Sequence, residues 1–150
     1  GKVLSTLNIL SVDLQSQTMV ITRNNPVPVI LIRDRTVHAL ADPSEPVGTR
    51  RVIRPSITEI PLEPGLASII FTDGVTHAGE RDGTPMDVIA FLQALLAEGP
   101  VNPDAWADRI LDHAVTLDKG RPADDISILV TAILQREGDD ARRLSVRMPL

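Results

Sequence analysis

The chain has 150 residues, 43% of them hydrophobic, and a net charge of −5, which suits one globular domain with one core and leaves no room for two. It contains no cysteine, which excludes a disulfide frame, a thiolate zinc site and a cysteine nucleophile. Its basic residues are scattered without interleaved aromatics, which argues against a nucleic-acid partner; no run approaches the ~20 apolar residues of a membrane helix, and no secretory pattern opens the chain, so a cytoplasmic location is expected.

In chain order, residues 4–14 and 18–23 are apolar-rich runs separated by Gln15-Ser16-Gln17, which predicts a hairpin. Pro26 and Pro28 interrupt, and a second hairpin is predicted to turn at Arg33-Asp34-Arg35, so the first forty residues are expected to form a meander. The start, Gly1-Lys2-Val3-Leu4, runs directly into strand-like sequence and suggests that the chain begins inside a domain. Residues 41–49 are forced into a loop by two prolines and a glycine. Strands are expected at 56–62 and 66–72, separated by the Glu63-Pro64-Gly65 turn and ending at Asp73-Gly74. Helical spacing then predicts a helix over 85–98, with Pro85 in its first turn, and a second from Asn102-Pro103 to Gly120. The last strand, 126–135, is a dense aliphatic run of the buried kind. Residues 1–137 therefore form the domain, and 138–150 read as a polar C-terminal tail.

Acidic residues stand at the ends of two of these runs: Asp73 after one strand, Asp124 and Asp125 before another. Strand ends are rigid, and neighbouring ones can bring carboxylates together to hold Mg²⁺ or Mn²⁺, which take oxygen ligands and keep several waters. Gly74 would let a backbone carbonyl come close to such an ion. The same residues also read as a plain Asp-Gly turn and a solvated strand start. His77 reads either as a ligand or proton donor or as an ordinary loop histidine. Arg50, Arg51 and Arg54 read as a phosphate grip or as a solvated strand edge.

The run FTDGVTHAG resembles the "TDGVTEA" segment, and ADDISILV the closing "DDITLLV" segment, of the metal-dependent protein serine/threonine phosphatases of the 2C type, in their bacterial sporulation stage II E and stress-response branch. The resemblance covers residues 3 to about 136 in matching order. It implies that Asp73, Gly74 and Asp124 are metal-site residues, with Asp125 and His77 supporting them from behind. It implies a Mg²⁺ or Mn²⁺ cofactor, hydrolysis by metal-activated water without a phosphoenzyme, and a phosphoprotein substrate such as a phosphorylated anti-anti-sigma factor. The family also carries an upstream "GDVSGHG"-like segment that supplies a bridging aspartate, and nothing before Asp73 matches it. The "NAGHxP" turn stands here as Arg23-Asn24-Asn25-Pro26-Val27-Pro28, and the glutamate of "TDGVTEA" is His77. At most one weakly held ion, and weak or no turnover, is expected of the isolated chain.

The expected fold is α/β: stacked, mainly antiparallel β-sheets flanked by helices, phosphatase 2C-like, with the N-terminal portion of that fold not represented. An uncovered sheet edge would favour a homo-oligomer. Two functions follow: a metal-dependent phosphoserine/phosphothreonine phosphatase domain, or a degenerate or truncated one acting as a non-catalytic interaction module.

Overall fold

The computed structural model describes residues 3–135 and 138. The expected tail, apart from Gly138, lies outside the described residues.

Two antiparallel sheets stack, and two helices cover one of them. Strands β1 (Leu7–Asp13) and β2 (Thr18–Asn24) form the first hairpin, and β5 (Ser56–Pro61) pairs with β2 to give the order β1-β2-β5. Strands β3 (Val29–Arg33) and β4 (Thr36–Leu40) form the second hairpin, with Asp34 and Arg35 both at positive φ in its turn. With β6 (Ala67–Phe71) and β7 (Ile128–Ala132) they make the order β4-β3-β6-β7. Both hairpins match expectation, but the single meander does not: it breaks between Asn24 and Val29, and its halves lie in different sheets. Pro26 and Pro28 offer no N–H there, so β2 cannot turn directly into a ladder with β3.

Layering explains the strand sequences. Val29 and Leu31 of β3 face the three-stranded sheet and pack with Met19, Ile21, Ile60 and Leu66. Ile30 and Ile32 point the other way, joining Ile69 and Phe71 beneath the helices. Both faces of β3 are thus buried, which is why it reads as an unbroken aliphatic run. β7 reads the same way but is an edge strand, half-buried, with Leu129 52% exposed; composition alone does not distinguish a central from an edge strand. The outer face of the three-stranded sheet carries exposed Leu7, Ile9 and Ile57.

Asp73–Thr76 is not a bare turn but a single helical turn, α1, followed by a 3₁₀ turn at Glu80–Asp82. Helix α2 spans Val88–Glu98, three residues shorter than expected. Asp87 caps it by accepting the Ala90 N–H at 2.9 Å, while Met86 N–H is held by Ala78 O, so Pro85 lies outside the helix. Helix α3 (Pro103–Leu117) is capped by Asn102, which accepts the Ala105 N–H at 3.1 Å. Leu92, Leu95, Leu96, Trp106, Ile110 and Ala114 form the buried helical stripe, each large side chain contributing about 1.5–3 kcal/mol. His113 stacks on Phe91 with ring centroids 4.3 Å apart; it and exposed His38 of β4 have no partner in the site described next. No helix among the described residues is long and apolar enough to cross a membrane.

Candidate functional site

The pairing of β6 with β7 runs from Ala67↔Ala132 to Phe71↔Ile128. Asp73 therefore leaves β6 at the end of the sheet where Asp124 and Asp125 enter β7. This register brings the two acidic segments to the same end of the sheet. Asp73, His77, Asp124 and Asp125 are all exposed there, and Gly74 is buried.

A hydroxyl fixes the spacing of the two segments. Thr72 Oγ1 donates to Asp125 O at 2.8 Å and accepts the Ser127 N–H at 2.9 Å, and Thr72 N–H donates to Ser127 O at 3.1 Å. Thr72 occupies the N-cap position of α1, but its side chain is spent on this cross-strand clamp instead of on the helix. Gly74 completes the contact: a Cβ there would lie 2.5 Å from Asp125 O and 3.1 Å from Ile126 Cγ1. What the glycine provides in this structure is close passage of one backbone past another.

Asp124 accepts the N–H of Asp125 on Oδ1 at 2.8 Å. Asp125 thus supports Asp124 through its backbone N–H. His77 lies at the C-terminal end of α1, where its N–H closes the turn on Asp73 O at 2.9 Å. The arginines at 50, 51 and 54 lie in the loop before β5 and not on a strand edge; Arg50 makes a bidentate pair with Glu45, at 2.6 and 2.8 Å. A cleft between the sheets opens at the Asp73 end, lined by Asn8, Asn25, Thr72 and Ser127 among others, and Asn8 Oδ1 has no hydrogen-bond partner among the described residues. Arg23, 2% exposed, donates to Asn25 O at 2.8 Å and to Asp42 O, tying the crossover between the sheets to the loop after β4.

Sequence reading missed Thr72 and Asp118. Asp118 follows α3 and is buried, with Oδ1 accepting the Gly79 N–H at 2.9 Å and Oδ2 the Ala123 N–H at 3.2 Å. The Gly79 hydrogen bond holds its carboxyl below the ordinary value, opposed by burial and helped by the Ala123 N–H and the charge of Arg81. The signal that marks Thr72 is its place between an aliphatic strand and an Asp-Gly pair; Asp118 carries no sequence signal beyond that of a helix-end aspartate.

Two carboxylates from two strand ends match the donor type of Mg²⁺ or Mn²⁺, and one or two carboxylates is the usual protein share of a Mg²⁺ shell. No group of three or more His, Asp or Glu able to hold a metal occurs among the described residues. The donor set suits one ion completed by water or phosphate, and a second ion would need ligands beyond it.

The family model described as Stage II sporulation protein E (SpoIIE) matches residues 2–134. No curated protein sequence matches the chain. Among solved structures, the chain is similar to the phosphatase domain of the cell fate determinant SpoIIE from Bacillus subtilis, at 17% identity and a TM-score of 0.67, over 90% of this chain and 61% of that one. It is similar to the SiaA-PP2C domain of Pseudomonas aeruginosa at 20% identity and a TM-score of 0.67, over 85% and 51%. It is also similar to the RsbU and RsbW domains of Rv1364c from Mycobacterium tuberculosis at 18% identity and a TM-score of 0.63, over 83% and 35%. The chain thus spans less than two thirds of the length of each of these structures. With a family model covering nearly all of it and the layered sheets and helices of these domains, the chain belongs to the SpoIIE family and has the PP2C-type phosphatase fold.

Proposed function

We propose that this chain is part of a metal-dependent phosphoserine/phosphothreonine protein phosphatase and that Asp73 and Asp124 are its ligands to a Mg²⁺ or Mn²⁺ ion. The observation that carries this reading is the β6–β7 register, which delivers two exposed carboxylates from distant sequence to one sheet end under a Thr72 clamp. A bound divalent ion supplies charge neutralisation for phosphoryl oxygens and acidifies water. Asp73 begins a helical turn whose backbone is closed by the His77 N–H on Asp73 O at 2.9 Å. The Asp125 N–H occupies one lone pair of Asp124 and restricts its rotation, leaving the other oxygen free to ligate. Gly74 keeps the two segments in contact, and the exposed His77 imidazole is available to pass a proton to a leaving serine oxygen.

The substrate in this reading is a phosphorylated bacterial regulator such as an anti-anti-sigma factor, the compartment is the cytoplasm, and the role is signal transduction. An uncovered sheet edge or face, where Leu7, Ile9 and Ile57 are exposed, makes a homo-oligomer part of the same reading. The test is Mn²⁺-dependent hydrolysis of an aryl phosphate by the complete protein that carries this chain. Asp73→Asn and Asp124→Asn should each abolish it, and unchanged turnover in both would refute the assignment.

The two-carboxylate donor set also favours a second reading, a degenerate or truncated phosphatase domain retained as a non-catalytic interaction module. Turnover by the complete protein separates the two: an inactive complete protein that still binds a partner supports the second.

A further inference from the structure

We infer that Asp118 is a positioning residue that sets the separation of Asp73 and Asp124, an inference that rests on reading those two as metal ligands. The residues form a closed circuit. From Asp73 the chain runs through α1 to Gly79, whose N–H meets Asp118 Oδ1 at 2.9 Å; Asp118 Oδ2 meets the Ala123 N–H at 3.2 Å, one residue before Asp124. Asp125 O then returns to Thr72 Oγ1, one residue before Asp73. Both candidate ligands lie on this circuit, clamped on one side by Thr72 and on the other by Asp118.

Three features separate this role from those of ligand and helix cap. Each of its carboxylate oxygens accepts a backbone N–H and the residue is buried, in contrast to the exposed Asp73 and Asp124. Its backbone N–H closes α3 on Ala114 O at 3.2 Å, whereas its carboxylate reaches away from the helix to the loops at Gly79 and Ala123. Gly79, at φ 80°, has no room for a side chain, since a Cβ would stand 2.3 Å from Thr84 O; its N–H is therefore held toward Asp118 by a backbone conformation that other residues rarely adopt. Lys119 adds an ion pair with Asp82 at 2.8 Å, fastening the same loop to the same helix end.

The test uses the full chain, with Asp118→Asn, Asp118→Ala and Asp73→Asn. Asparagine keeps an acceptor for one N–H but turns an amide N–H₂ toward the other, so it opens one link of the circuit and alanine opens both. Mn²⁺ affinity, read by electron paramagnetic resonance, should fall about tenfold in Asp118→Asn, and further in Asp118→Ala. In metal-free ¹⁵N–¹H spectra of Asp118→Asn, the amides of Asp73–Gly79 and of Ala123–Asp125 should shift together while those of Ile69 and Val130 stay in place. A residue that merely supports the fold would lower the melting temperature and leave the Mn²⁺ affinity of the folded chain unchanged. Native affinity in Asp118→Asn, beside loss in Asp73→Asn, overturns the inference and spares the metal reading. Should the unaltered chain take up no Mn²⁺, the metal reading fails, and the spectra decide whether Asp118 couples the loops: joint shifts uphold the coupling, and shifts in one loop overturn it. Where Asp118→Ala does not fold, Asp118→Asn alone is decisive.

Discussion

Replacing Gly74 by alanine tests whether the two acidic segments are as closely packed as described. The residue is helical and its φ is not positive, so on propensity alone alanine would be favoured, by up to about 1 kcal/mol. Against that, the new Cβ would lie 2.5 Å from Asp125 O and 3.1 Å from the Asp125 carbonyl carbon. The neighbouring backbone would have to retreat by about 1 Å to reach ordinary contact. That retreat strains or breaks the Thr72–Asp125 bond at 2.8 Å and the Ser127–Thr72 bond at 2.9 Å, each with a net value of about 1 kcal/mol. With the strain of forcing an atom into filled space, the clash outweighs propensity, and Gly74→Ala should destabilise the chain by about 1–3 kcal/mol. Urea denaturation followed by circular dichroism measures this directly. A Gly74→Ala midpoint equal to or above that of the unaltered chain would refute the packing argument, because it would mean that helix propensity decides the sign.

Removing the cap of α3 with Asn102→Ala should lower stability by about 1 kcal/mol in the same assay, since the Ala105 N–H loses its acceptor; no loss would show that solvent replaces it fully. Stability should also depend on pH through Asp118. Its folded value lies below the ordinary one, chiefly because of the Gly79 N–H, so its contribution is complete above the unfolded carboxylate value of about 3.9 and is lost as pH falls through the folded value. The advantage of the unaltered chain over Asp118→Asn should therefore shrink below pH about 4, and an advantage that stays constant or grows on acidification would contradict it.

The placement of the two acidic segments at one sheet end was legible in the sequence, because a strand end is easy to see there. Ile69-Ile70-Phe71 is an apolar run that stops at Asp73, and Ile126 to Val130 is one that starts after Asp125; antiparallel pairing of two such runs forces their acids to one end. The clamp was less visible. Thr72 stood inside a recognisable motif, yet nothing in a threonine shows whether its hydroxyl caps its own helix or reaches across a sheet. Asp118 was illegible for a related reason: at the end of an amphipathic helix an aspartate reads as solvated, and only the fold brings Gly79 and Ala123 to its two oxygens. Helix α1 is too short, at four residues, to carry a 3.6-residue period. The split of the first forty residues between two sheets was marked by Pro26 and Pro28, but prolines show where a ladder stops and not which sheet the chain enters next.

The measurement that bears most directly on the central claim is a calorimetric titration of Mn²⁺ into this chain, alongside Asp73→Asn and Asp124→Asn. Saturable binding by the unaltered chain, lost in each variant while the circular dichroism spectrum is unchanged, is the predicted result. No binding by the unaltered chain, or equal binding by all three, would contradict the assignment of Asp73 and Asp124 as ligands.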